Sequence, residues 1–149
     1  TILILYKMGD IRKSVGIFLI SPQKKILLHL RDNNPHIDYP DYWGLIGGKT
    51  EEGENSRKSI KREIKEELGL EFKVKNIKCV GKINLKKDNL ILKDTILILF
   101  KGNIESQLDK INLKEGKRVS FFKIGKLTDL KMVPTFRKFI LENKHELFN

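Results

Sequence analysis

Between Gly48 and Leu70 the sequence GKTEEGENSRKSIKREIKEELGL sets Glu54, Arg62, Glu63, Glu66 and Glu67 at intervals that suit chemistry. If the second half of this stretch is a helix, at about 100° per residue Glu63, Glu66 and Glu67 share one side. Ile60, Ile64 and Leu68 form a separate row one turn apart, free to pack on a core. Three carboxylates that close repel one another and titrate upward unless positive charge sits among them. A hard divalent cation meets that need. Mg2+ in particular is usually held by a few carboxylates together with the phosphate oxygens of a substrate, so the pattern points to phosphoryl chemistry.

Both ends of the expected helix are signalled. Asn55 stands where an N-cap belongs, and Gly69 where a left-handed residue can close the last turn. Gly47 and Gly48 precede the helix at the end of an apolar run, where bare backbone can approach a ligand or a metal closely.

The order Gly48, Glu54, Arg62-Glu63-Ile64, Glu66-Glu67, Gly69-Leu70, with the spacing it has here, resembles the signature of the Nudix hydrolases. The resemblance implies an α+β domain, an α/β/α sandwich around a mixed β-sheet. It implies hydrolysis of a nucleoside diphosphate linked to another moiety, with Mg2+ or Mn2+ as cofactor. Carried over residue by residue, it implies Glu63, Glu66 and Glu67 as metal ligands with Gly48 as a further one. Arg62 and Glu54 become a supporting ion pair. A general base outside the signature is expected at Glu115, before a strand, where a similar glutamate occurs in the branch that hydrolyses nucleoside triphosphates. A turn glutamate beside Gly116 is the plainer reading, and Glu105 is the fallback. None of the secondary patterns of the NADH, coenzyme A or ADP-ribose branches is present, which favours a (d)NTP or an oxidised nucleotide as substrate. RNA 5' ends, a nucleotide sugar and a non-catalytic nucleotide-binding module are the alternatives.

The elements that must position these residues follow from the rest of the chain. Its 149 residues suffice for one domain with a real core, read as 1–149, and 40% hydrophobic with 33% charged residues excludes a disordered chain. Apolar runs such as 16–20 and 96–100 are far too short to span a membrane. No secretory segment is read at the N-terminus, and Thr1 suggests a trimmed start. With Cys79 as the single cysteine an internal disulfide is excluded; a reducing cytoplasm and a buried core thiol are expected. Thirty Lys and Arg against 19 Asp and Glu give a net charge of +11, and the excess lies outside the signature, which holds six of each sign. Such a field attracts nucleotides or RNA, although solvated lysine faces explain it as well. Monomer and homodimer are both compatible with the sequence.

Residues 1–6 and 14–21 read as strands, and 25–31 as the second arm of a hairpin with 14–21. Arg31 ends that arm, where it can meet a substrate phosphate or form a surface ion pair. The segment 32–41 is a loop by its composition; the three histidines lack metal-ligand spacing and read as incidental, except that His36 lies in this loop, which can touch substrate. Tyr42 and Trp43 at its far end offer either a stacking surface for a base or core packing. Residues 42–46 read as a short strand into Gly47, 71–86 and 89–101 as a second hairpin, 102–112 as a loop and 116–124 as a strand. Residues 131–147 read as one helix, with Pro134 near its start.

Overall fold

The computed structural model describes residues 11–69, 72–105 and 118–149. The expected strand at 1–6, Leu70 and Glu115 lie outside them. Among the described residues seven strands form one mixed sheet, β1 (Arg12–Ile20), β2 (Ile26–Leu30), β3 (Trp43–Gly44), β4 (Ile46–Lys49), β5 (Lys75–Leu85), β6 (Thr95–Asn103) and β7 (Arg118–Phe122). Helix α1 (Ser56–Leu68) packs on one face; a 3-10 turn (Ile124–Asp129), α2 (Pro134–Glu142) and α3 (Lys144–Phe148) cover the other. This is the sandwich expected above.

β1 is the axis of the sheet. Along one side it pairs in parallel with β6 from Arg12↔Thr95 to Ile20↔Asn103. Its other side is divided: Ser14 to Ile17 pair antiparallel with β4, and only Leu19 and Ile20 pair with β2. The expected hairpin is therefore real but two pairs long. Its short contact leaves the neighbouring edge for the glycine strand, which places Gly47 and Gly48 beside the middle of the sheet.

The uninterrupted apolar run of β1 reflects burial on both faces. Val15, Ile17 and Leu19 join Ile60, Ile64 and Leu68 of α1 in one layer, while Phe18 and Ile20 join Leu127, Met132 and Ile140 in the other. Phe18 stacks on Phe139 with ring centroids 5.3 Å apart. Each fully buried aliphatic side chain contributes about 1.5–3 kcal/mol relative to exposure, so the row on α1 anchors the helix.

Three expectations require correction. β5 and β6 are joined by a nine-residue connection, 86–94, in place of a tight turn at Lys87–Asn89, because Asp88 accepts from the amides of Leu90 and Ile91 and turns Ile91 into the protein. Cys79 is exposed. Register shifts on both sides of it break the alternation of β5, an edge strand, and turn the thiol outward. The last helix divides at Asn143, whose backbone (φ −128°) leaves the helical region and whose Nδ2 donates to the Phe139 carbonyl.

Gly47 sits opposite Gly16, and a Cβ at Gly47 would stand 2.1 Å from the Val15 carbonyl oxygen. Gly47→Ala should destabilise the protein by about 1–3 kcal/mol, seen as a lower urea midpoint. An unchanged midpoint would contradict this close approach of β1 and β4.

Candidate active site

Helix α1 begins as its sequence dictates. The Asn55 side chain accepts from the Lys58 amide at 2.8 Å, and Gly69, at φ 101°, ends the helix with its N–H on the Lys65 carbonyl. Its carboxylates then occupy graded environments. Glu63 is buried at 7% exposure, its carboxylate lying over Gly48; a Cβ on Gly48 would stand 2.5 Å from Glu63 Oε1. Glu66 is exposed on the next turn and Glu67 is half-buried beside it.

Arg62 ties these groups to the loop before the helix. Its Nε donates to Glu54 Oε2 at 2.7 Å and its Nη2 to Glu54 Oε1 at 2.9 Å, a two-pronged pair. Nη1 donates to Glu63 Oε1 at 2.9 Å and Glu66 Oε2 at 3.1 Å, and Nη2 also reaches the Lys49 carbonyl at 3.0 Å. Glu54 Oε1 accepts in addition from the Glu51 amide at 2.8 Å. The Arg62 hydrogen bonds hold the Glu54 carboxyl down at about 2, from an ordinary 4.5, and raise the guanidinium in turn. Glu63 moves the other way: burial raises its pKa, Arg62 opposes that, and the nearby charges of Glu66 and Glu67 add to the rise.

Among the described residues no three acidic, histidine or cysteine side chains are gathered into a ready cation cage. Glu63 and Glu66 instead converge on Arg62 Nη1. The available donors are nonetheless hard oxygens, and the missing Cβ of Gly48 brings the Glu63 carboxylate against bare backbone. That donor set fits a hard divalent cation.

Next to Gly48 a cavity of about 260 Å3 opens between β1, β4 and the loops 32–42 and 86–94. Gly47, Gly48 and Lys49 border it with Arg31, His36 and Tyr39. Arg31 is half-buried and its Nε donates to the Asp38 carbonyl at 2.6 Å. Burial lowers the Arg31 pKa and the Arg12 charge adds to that, while Asp38 and, more weakly, Glu67 oppose it, so of the helix carboxylates Glu67 acts on this arginine.

A match to the NUDIX domain family model covers residues 10–142. The chain belongs to the Nudix family. Nudix hydrolase 27, chloroplastic, of Arabidopsis thaliana is 41% identical over 59 residues, which is 40% of this chain and 24% of that protein. The matches span about a quarter to two fifths of the length of the curated relatives. The Nudix fold is shared with a MutT protein from Methanosarcina mazei Go1 (TM-score 0.74, 21% identity, 92% of this chain and 95% of that one). It is shared also with the NUDIX domain of Shewanella oneidensis NrtR, solved with ADP ribose (TM-score 0.68, 16% identity, 92% and 88% covered).

Of the residues singled out by sequence, the structure brings together Glu54, Arg62, Glu63, Glu66 and Gly48, and it sets Arg31 and Gly47 on the adjoining cavity. Tyr42 and Trp43 do not border that cavity. Tyr42 packs edge-on to Tyr39 under the Lys131 ammonium, and Trp43 packs edge-on to Phe122 while its backbone bonds Lys131 and Val133. Glu105 borders a different cavity. Sequence reading missed Asp38. It ion-pairs with Arg12, accepts from the Leu92 amide at 2.9 Å and receives Arg31 on its carbonyl, fixing the cavity loop from three sides.

Because the folded Glu54 is more acidic than an ordinary glutamate, its contribution to stability is complete above about pH 4.5 and fades as the pH falls toward 2. Glu54→Gln should therefore melt below the parent at pH 7, and the gap should close between those limits. A gap independent of pH would refute the Glu54–Arg62 assignment.

Proposed function

We propose that this chain is a metal-dependent pyrophosphohydrolase that cleaves a nucleoside diphosphate linked to another moiety, with a (d)NTP or an oxidised nucleotide as the first substrate class. One observation carries the reading: a buried, charge-crowded Glu63 lies across Gly48 from a cavity lined by Arg31, with Glu66 and Glu67 on the same helix face.

In this reading Glu63, Glu66 and Glu67, with Gly48, hold the metal. When bound, Mg2+ or Mn2+ would screen charge on the phosphate oxygens and make water a better nucleophile. The chain's own contribution is placement. Arg62, held by Glu54 and the Lys49 carbonyl, keeps loop and helix in register. Its Nη1 supplies the positive charge between Glu63 and Glu66, and its contacts to Glu54 and Lys49 are independent of those two carboxylates. Arg31 is poised to hold a substrate phosphate at the cavity edge, because Asp38 fixes its Nε and the other guanidinium nitrogens carry further donors. The amides and missing side chains of Gly47 and Gly48 let a phosphate pass close to the backbone. Glu115 is retained as the proposed base. The net charge of +11 favours polyanions generally, and it makes a triphosphorylated RNA 5' end the second substrate to test.

The test is phosphate and pyrophosphate release from nucleoside triphosphates, oxidised nucleotides, dinucleotides, nucleotide sugars and triphosphorylated RNA, with Mg2+, with Mn2+ and with chelator. Metal-dependent turnover of a nucleoside triphosphate is expected. Silence across the panel, from protein that still binds nucleotide, would move the assignment to a binding module. Glu67→Gln should lower turnover on the order of 100-fold or more while leaving the melting temperature near that of the parent. Near-normal turnover would remove Glu67 from the metal site. Arg31→Ala should raise KM more than it lowers kcat, and an unchanged KM would take Arg31 off the substrate.

A further inference from the structure

A second cavity, about 580 Å3, opens at the other end of the sheet. The first cavity meets β1 and β6 near Arg12 and Thr95; this one meets them near Ile20 and Asn103. Those strands run parallel over nine residues, roughly 26 Å, and among the described residues the two cavities share no lining residue.

Its chemistry is divided. The floor is apolar, made by Ile20, Ile104, Leu147 and Phe148, each at most 9% exposed. Among the described residues the rim carries Lys24, Lys73, Lys75 and Lys101 against one acidic side chain, Glu105. Lysines scattered over a surface would simply be solvated; here four of them, brought from three separate segments, surround a concave apolar surface. Lys101 is held, its ammonium donating to the Glu146 carbonyl. Lys24 and Asn76, both bordering the cavity, have left-handed backbone (φ 59° and 57°). At Lys24 this conformation closes the β1–β2 turn, with the Lys24 amide on the Ser21 carbonyl; at Asn76 it accompanies a register shift of β5.

We infer that this cavity is a second, non-catalytic binding site for a phosphate-bearing ligand with a flat or apolar body, of the size of a mononucleotide. The volume lies within the range of small-molecule sites, about 300–1,000 Å3. Lysine ammonium groups serve as point-charge partners for phosphate, and the lysine stems, with the few apolar atoms left open at the base of the cavity, offer the base or sugar a surface that scattered lysines lack. The inference uses none of the residues assigned to hydrolysis and stands or falls separately from it.

Metal-free protein is titrated with a nucleoside monophosphate, and separately with inorganic pyrophosphate, while the methyl resonances of Ile20, Ile104 and Leu147 are followed beside those of Leu45 and Leu97 at the first cavity. The nucleotide should shift the first group saturably. The triple variant Lys24→Gln/Lys73→Gln/Lys75→Gln changes only exposed side chains; it should weaken that event by about tenfold or more and leave both the response of Leu45 and Leu97 and the basal turnover unchanged. Pyrophosphate should bind more weakly than the nucleotide because it leaves the floor uncovered. The inference is overturned by the absence of a saturable shift at Ile20, Ile104 and Leu147, or by equal affinity in the triple variant. Equal affinity for pyrophosphate would overturn the nucleotide assignment.

Discussion

The five N–H donors of Arg62 make five hydrogen bonds, two to Glu54 and one each to Glu63, Glu66 and the Lys49 carbonyl. Everything proposed for the active site depends on that arrangement. Without it, Glu63 would be a carboxylate at 9% side-chain exposure near two further glutamates and without the guanidinium that offsets them, a state that burial and like charge both oppose. The same guanidinium fastens the 49–54 loop to α1, so the acidic ridge and the glycine strand stay in fixed relation. A lysine at this position could not replace it. One ammonium has three donors and lacks the planar fork that grips Glu54.

The sheet explains why Gly48 is available to that ridge. Because β2 pairs with β1 for only two residues, β4 can occupy the rest of that edge; Gly47 passes Val15 and Gly16 too closely for a side chain, and the Glu63 carboxylate fills the space a side chain on Gly48 would need. α1 buries Ile60, Ile64 and Leu68 on one face of the sheet, while the cavity beside Gly48 draws Leu45, Leu97 and Phe136 from the other. Glu63 thus meets the cavity across a single layer of glycine backbone.

The helix and its site were legible because their determinants are local. The Asn55 cap, the Gly69 stop, the apolar row and the acidic ridge are spaced by helix geometry, and Glu54 lies within the same 23-residue stretch as Arg62. What failed to show was set by distant contacts. Asp38 joins Leu92, 54 residues away, and Arg12, 26 residues away, and nothing in DNNPHIDYPD announces either partner. Cys79 looked buried because alternation was carried through a strand whose register shifts. Trp43 offered two readings, and its backbone bonds to Lys131 and Val133, a segment ninety positions on, set its ring against Phe122. Charge was legible in amount but not in place: the lysine rim of the second cavity comes from three separate segments.

The central claim is that the ridge of α1, steadied by Arg62, is a divalent-metal site. Direct binding of Mn2+, followed by loss of the free-ion electron paramagnetic resonance signal in the absence of substrate, tests it most simply. The account predicts a saturable site in the parent protein and a large loss of affinity in Glu63→Gln, which keeps the shape of the side chain over Gly48 but removes its charge. Equal Mn2+ affinity in the two proteins would contradict it.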